Sequence, residues 1–202
     1  IMEQNHSRYI PIDPREQHGE WARCETRGFK PNERQQPVIE AVSAALASGA
    51  YYTNQVVEFA AKYLHATPEQ LQAGANKVES GWFGMDCYYA RRYLEAVDAA
   101  KKEDHVWEQL KPAVGMNLGC LVFNDFKRNT GMTVAEIEDG GNGRTMLIKG
   151  KRGAYTVTIK ATAIQVMHAM NRAAERGNRK DGFEQFVAPS QATSAVGELQ
   201  LF

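Results

Sequence analysis

The spacing of apolar residues changes from helical to alternating midway along this chain, and that change fixes the fold class. Before about residue 130 the spacing is helical. It is clearest from Phe83 to Ala100, where Phe83, Cys87, Ala90, Leu94 and Val97 step by four, three, four and three along one face. Asp86, Tyr89, Arg92 and Asp98 fall mainly on other faces. Beyond Gly131 the period shortens to two. Val134 and Glu136 alternate against Ala135 and Ile137, as in a half-buried strand over Thr133 to Glu138. Asp139-Gly140-Gly141-Asn142-Gly143 reads as a turn, Arg144 to Lys149 as a second strand, and Gly150-Lys151-Arg152-Gly153 as a second turn. Tyr155 to Lys160 is a third strand with Tyr155, Val157 and Ile159 on one face. Ala163 to Arg176 returns to helical spacing, with Ile164, Met167, Met170 or His168, and Ala174 inward. The predicted class is α+β: a helix-turn-helix module, then a small three-stranded antiparallel meander with helices.

Local signals punctuate the helical half. Residues 1–36 are broken by Pro11, Pro14, Gly19, Gly28 and Pro31 and read as an N-terminal arm that Tyr9, Ile10, Ile12, Trp21 and Phe29 can anchor. Pro37 suits the start of a helix over Val38 to Ala47, which Ser48-Gly49-Ala50 ends. Thr53 can cap a second helix that turns Val56, Val57, Ala60 and Leu64 inward. Thr67-Pro68-Glu69-Gln70 carries a capping box for a third, short helix. His105 to Thr130 is expected to be helical again, interrupted near Pro112 and Gly115, with Val114, Leu118, Leu121, Val122 and Phe126 as its stripe. A charged break at Lys101 to Asp104 is the expected boundary. It divides a module at 37–102 from an α+β domain at 103–186, and residues 187–202 form a linker and terminal peptide.

Charge and cysteine usage narrow the function classes. The chain has 24 basic and 24 acidic residues, which argues against a polybasic binder but leaves room for a local patch. Cys24, Cys87 and Cys120 are far apart and form no CxxC, and no apolar run approaches a bilayer span. With no signal-peptide core at the N-terminus, a cytoplasmic protein is expected. His6, His18, His65, His105 and His168 are scattered, and Gly140-Gly141-Asn142-Gly143 lacks a Walker lysine. No cofactor or metal is expected.

A local basic patch is present. Between Arg144 and Lys180 lie Arg144, Lys149, Lys151, Arg152, Lys160, Arg172, Arg176, Arg179 and Lys180, against Glu175 alone. The expected turn at Gly150 to Gly153 puts Lys149, Lys151 and Arg152 at a hairpin tip, where they can meet phosphates, with Arg172 and Arg176 extending the patch.

The run Tyr88-Tyr89-Ala90-Arg91-Arg92-Tyr93-Leu94-Glu95-Ala96, with Pro37-Val38-Ile39-Glu40-Ala41, Asn54-Gln55-Val56-Val57 and Thr67-Pro68-Glu69-Gln70-Leu71 upstream, resembles the N-terminal winged-helix domain of Mrr-type restriction proteins. The resemblance covers about sixty of the 202 residues. It implies a winged helix and duplex DNA contact through Tyr88, Tyr89, Arg91 and Arg92. The sequence departs from the family where a wing hairpin belongs, since Lys101 to Leu110 reads as charged helix. Full-length members also carry a magnesium-dependent nuclease domain. Here Glu136, Glu138 and Asp139 precede a strand ending Met146-Leu147-Ile148-Lys149, which lacks the acid or Gln expected two residues before the lysine. The end of the chain, Glu198-Leu199-Gln200-Leu201-Phe202, resembles the pentapeptide with which bacterial replication and repair proteins hold the sliding clamp, Leu199, Leu201 and Phe202 matching. The expectation is a non-catalytic protein that binds duplex more than single-stranded DNA and is tethered to the clamp. A restriction-type nuclease and a purely protein-binding scaffold are the alternatives.

Overall fold

A computed structural model describes residues 6–72, 81–177 and 182–183 of the chain. The elements in order are α1 (Pro14–Trp21), α2 (Gln35–Ala47), α3 (Thr53–Tyr63), α4 (Pro68–Gln72), α5 (Gly81–Leu110), β1 (Asn117–Val122), β2 (Arg128–Gly140), β3 (Gly143–Arg152), β4 (Tyr155–Ala161) and α6 (Ala163–Arg176). They form two compact units, Ile1–Asp98 and Ala99–Phe202, so the division falls inside α5. The expected break at Lys101 to Asp104 is uninterrupted helix. Lysine and glutamate are good helix formers, and a charged stretch on a helix breaks nothing. No described helix is long and apolar enough to cross a membrane.

The first unit is all-helical among the described residues, and its core collects Val38, Val42 and Ala45 of α2, Val56 and Ala60 of α3, Leu64, and Phe83, Cys87 and Ala90 of α5. The N-terminal residues are part of this core. Tyr9, Trp21 and Cys24 are buried in it, with the Tyr9 ring edge-on to Phe83 at 4.7 Å and Trp21 stacked on Tyr89 at 5.9 Å. The reason is Asp86. The helical wheel puts it off the apolar face of α5, yet it is fully buried. Tyr9 Oη donates to its Oδ2 at 2.6 Å, and Gln17 Nε2 and Trp21 Nε1 both donate to its Oδ1 at 2.8 Å. Each donor comes from the N-terminal segment, so the carboxylate ties that segment to α5. Gln70 adds a second tie. Besides closing the expected capping box with Thr67, it donates to the Tyr9 carbonyl at 3.1 Å.

The second unit holds a four-stranded antiparallel sheet in the order β1-β2-β3-β4, one strand more than expected. The added strand is β1, in the stretch read as helix. The buried residues there are Leu118, Leu121 and Val122, three and four apart. Their spacing imitates a helix because register shifts on both sides of Gly119 break the alternation. Val114 and Phe126, assigned to the same stripe, are exposed. One face of the sheet carries Met132, Val134, Met146, Ile148 and Ala161 into a core shared with Val106, Trp107 and Leu110 of α5 and Val166, Ala169 and Met170 of α6. His168 points outward. The N-terminus of α6 is capped by Thr162, and Glu103 also accepts from the Ala163 N–H at 2.5 Å and the Ile164 N–H at 3.2 Å.

Burial raises the Asp86 carboxyl above its ordinary range, against the three hydrogen bonds that favour its ionised form. A raised native value means that the native state holds the proton more tightly. This contribution is full below the ordinary carboxylate range and is lost as pH rises through the native value. Asp86→Ala should cost roughly 2–4 kcal/mol of unfolding free energy, since three buried donors lose their acceptor. Asp86→Asn should cost less. In urea titrations the stability difference between wild type and Asp86→Asn should shift against wild type as pH rises from acid to neutral. A pH-independent difference would contradict the burial argument. In the second unit, a Cβ on Gly150 would stand 2.2 Å from Met132 Sδ and 2.8 Å from the Thr130 carbonyl oxygen. Gly150→Ala should therefore lower the thermal midpoint by several degrees.

Candidate nucleic-acid interface

The β3–β4 hairpin turns at Gly153-Ala154, with Arg152 opposite Tyr155. The expected turn at Gly150 to Gly153 is thus displaced, and Lys149 and Lys151 sit inside β3 on its exposed side. Cross-strand pairing sets Lys149 between Thr133 and Thr158, and Lys151 between Thr130 and Thr156. The outer face of the sheet therefore carries two rows, Thr-Lys-Thr and Thr-Lys-Thr. Among the described residues, neither lysine makes an ion pair, so both ammonium groups are available.

Arg152 points to the opposite face. It donates to Asn129 Oδ1 at 2.9 Å and pairs with Asp125 at 2.8 Å. There it meets Arg172 and Arg176 of α6. Arg172 donates to the Val122 carbonyl at 3.1 Å, and Arg176 to the Phe126 carbonyl at 2.6 Å, with its guanidinium 5.4 Å from the Phe126 ring centroid. Arg152 of β3 and two arginines of α6 thus converge on the loop 123–127 between β1 and β2 and on the β1 residue that leads into it. Their first task is to hold that loop. Lys127, its last residue, and Arg128, the first of β2, are exposed. Antiparallel pairing of Thr130 with Lys151 places this loop and the β3–β4 turn at the same end of the sheet.

The far end is of the other sign. Glu136 and Glu138 occupy the outer face toward the β2–β3 turn, and Asp139 lies beside the turn itself. Lys160 pairs with Glu138, and Arg144 with Asp104 at 3.0 Å and Glu108 at 3.5 Å while it covers the Trp107 ring at 4.7 Å. The basic segment read from sequence is therefore not one patch. Arg144 and Lys160 are neutralised where they stand, whereas Lys149, Lys151, Arg152, Arg172 and Arg176 gather at one end. Among the described residues no three His, Cys, Asp or Glu side chains are grouped as metal ligands would be.

In the first unit, Arg91 and Arg92 are engaged by acids. Arg91 pairs with Glu95 at 3.1 Å, donates to the Tyr51 carbonyl at 2.8 Å and lies over the Tyr51 ring at 5.7 Å. Arg92 makes two bonds to Glu25, at 3.1 and 2.6 Å. Tyr88 is exposed, and Tyr51 and Tyr52 are more so. Sequence reading passed over these two, which only their position just before α3 marks out. Tyr89 is partly covered by Trp21 and its hydroxyl meets His18 Nδ1 at 2.5 Å. No strand among the described residues of this unit supplies a wing. Leu199, Leu201 and Phe202 lie outside the described residues.

No family model matches the chain, and no curated protein or solved structure is significantly similar to it.

The arginine clamp makes a local prediction. Replacing Arg172 and Arg176 together with Ala should speed hydrogen exchange at the Phe126 amide, which is bonded to the Phe123 carbonyl at 3.0 Å. Amides of β3, in the middle of the sheet, should keep their protection. Unchanged exchange at Phe126 would show that the loop holds itself.

Proposed function

We propose that the chain is a non-catalytic nucleic-acid-binding protein whose principal contact is the basic end of the sheet in the second unit. The observation that carries this reading is the pair of exposed lysines, Lys149 and Lys151, without an ion pair among the described residues and each flanked by threonine hydroxyls on the outer sheet face. Ammonium groups free of protein acids release counterions from a phosphate backbone when they bind, and hydroxyls donate to phosphate oxygens. The acidic far end orients a polyanion toward the basic one. The resemblance of residues 37–100 to a winged-helix domain supports a second DNA contact through Tyr88, Arg91 and Arg92 on α5. That contact requires each arginine to exchange its present carboxylate for phosphate or base.

Lys149→Ala with Lys151→Ala should weaken binding alike on all sequences and lower the dependence of log affinity on log salt by about one per lost contact. A wild-type slope in the folded double variant would remove the lysines from the interface. Arg91→Ala with Arg92→Ala separates the second contact. Loss of duplex affinity with an unchanged contribution from the lysines supports it, and no change removes it.

The terminal pentapeptide carries a further part of the reading, tethering to a sliding clamp, which rests on the resemblance of Leu199, Leu201 and Phe202. A second attachment raises effective concentration on DNA without new DNA contacts. Calorimetry of a peptide spanning residues 190–202 against a bacterial clamp should give binding that is lost on Leu201→Ala with Phe202→Ala. Absence of heat from the unaltered peptide would end this part alone.

A further inference from the structure

We propose that the loop between β1 and β2, together with Tyr155, is a stacking platform for unpaired bases, so that the second unit takes single-stranded in preference to duplex nucleic acid. This rests on the nucleic-acid reading above and names the substrate class of the same site, where the sequence pointed to duplex.

Phe126 carries the argument. The residue is 63% exposed, and its backbone lies at φ 56°, in the left-handed region that a non-glycine residue enters at a cost. A glycine would adopt that backbone without strain and would expose no ring. Instead the loop is pinned at Asp125 by Arg152 and at the Phe126 carbonyl by Arg176, and the end of β1 that leads into it is held at the Val122 carbonyl by Arg172. The Arg176 guanidinium also lies against the ring. The result is a large apolar group that does not retreat into the core and is held out in a fixed position. Preorganisation of this kind lowers the ordering cost of binding. Tyr155, 77% exposed, stands at the same end of the sheet across from Arg152, on the face of Arg152 and not that of Lys149 and Lys151.

The surroundings select the ligand. Exposed rings beside an excess of cations fit a ligand that is both polyanionic and rich in flat apolar faces. Bases have such faces, and stacking on protein aromatics tolerates any sequence. In a duplex those faces are hidden within the base stack. The rings then add nothing to duplex affinity, whereas Lys149 and Lys151 serve the phosphates of either form.

The test uses the full chain and fluorescence anisotropy at one fixed salt concentration, with an oligothymidine of about 15 nucleotides, near the upper range for a single small domain, and a duplex of equal length. With the first unit's duplex contact removed by Arg91→Ala and Arg92→Ala, the chain should prefer the oligothymidine. Phe126→Ala with Tyr155→Ala should lose about tenfold or more on the oligothymidine and change little on the duplex. Both side chains are largely outside the core, and circular dichroism verifies the fold of the variant. Tyr155→Trp preserves a platform. It should retain affinity, and the emission of its added indole should be quenched by the oligothymidine but not by the duplex.

Equal losses of the double variant on both ligands, or none on either, would overturn the platform while leaving the lysine contact standing. So would indole emission in the Tyr155→Trp variant that is indifferent to the oligothymidine. If wild type binds neither ligand at low salt, the nucleic-acid reading itself falls. If polyglutamate displaces the oligothymidine and depends on Phe126 to the same degree, the rings serve an acidic protein partner and the base-stacking assignment is wrong.

Discussion

The first unit depends on one buried carboxylate. Asp86 draws its three hydrogen-bond donors from the segment between Tyr9 and Trp21, a stretch with too few apolar residues to fold alone. Hydrophobic burial is non-directional and would allow that segment to slide over α5. An acceptor with fixed lone-pair directions does not. Burying a carboxylate is unfavourable by itself, and the raised proton affinity of Asp86 records that cost. What the arrangement gains is a single register: Trp21 stacks between Phe29 and Tyr89, and Tyr9 stands against Phe83, only in that position.

In the second unit, position is set by backbone geometry more than by a buried charge. The sheet's inner face is continuous with α6, and the close approach of Gly150 to Met132 leaves no room for a side chain there. The same strand turns Lys149 and Lys151 outward and Arg152 inward, because the side-chain period of a strand is two. One hairpin thereby places cations on both faces of one sheet end. The inward arginine joins those of α6 in holding a loop, while the outward lysines remain available to an external anion.

The sequence was legible where elements are regular. The limits of α6, the Thr67-Gln70 capping box and the turn at Gly141-Asn142 all follow from local chemistry that tertiary packing leaves alone. It was misread where local and long-range effects compete. The displaced alternation about Gly119 made β1 look helical. The anchors Tyr9, Ile12 and Trp21 were legible in residues 1–36, but nothing there reveals that Trp21 meets an acid 65 positions away. For the candidate site, charge count found the right segment but could not sort it. Whether a lysine or arginine is available depends on which acid stands opposite, and that is decided by register. The exposure of Phe126 was likewise hidden, because an apolar residue three or four places from others reads as core until the backbone turns left-handed.

Glu103, two turns before the end of the long helix, has a kinetic consequence. The strands of the second unit are joined to their neighbours by short turns, so each hairpin closes a small loop and can form early. The bonds from Ala163 and Ile164 to Glu103 join groups 60 and 61 residues apart. They are the contacts of greatest sequence separation in this unit's hydrogen bonding among the described residues, and their loop-closure entropy is compensated only once the meander between them has shortened the path. The cap of α6 therefore belongs to the late side of the folding barrier. Weakening it would act on the rate at which the unit opens, with little effect on the rate at which it forms.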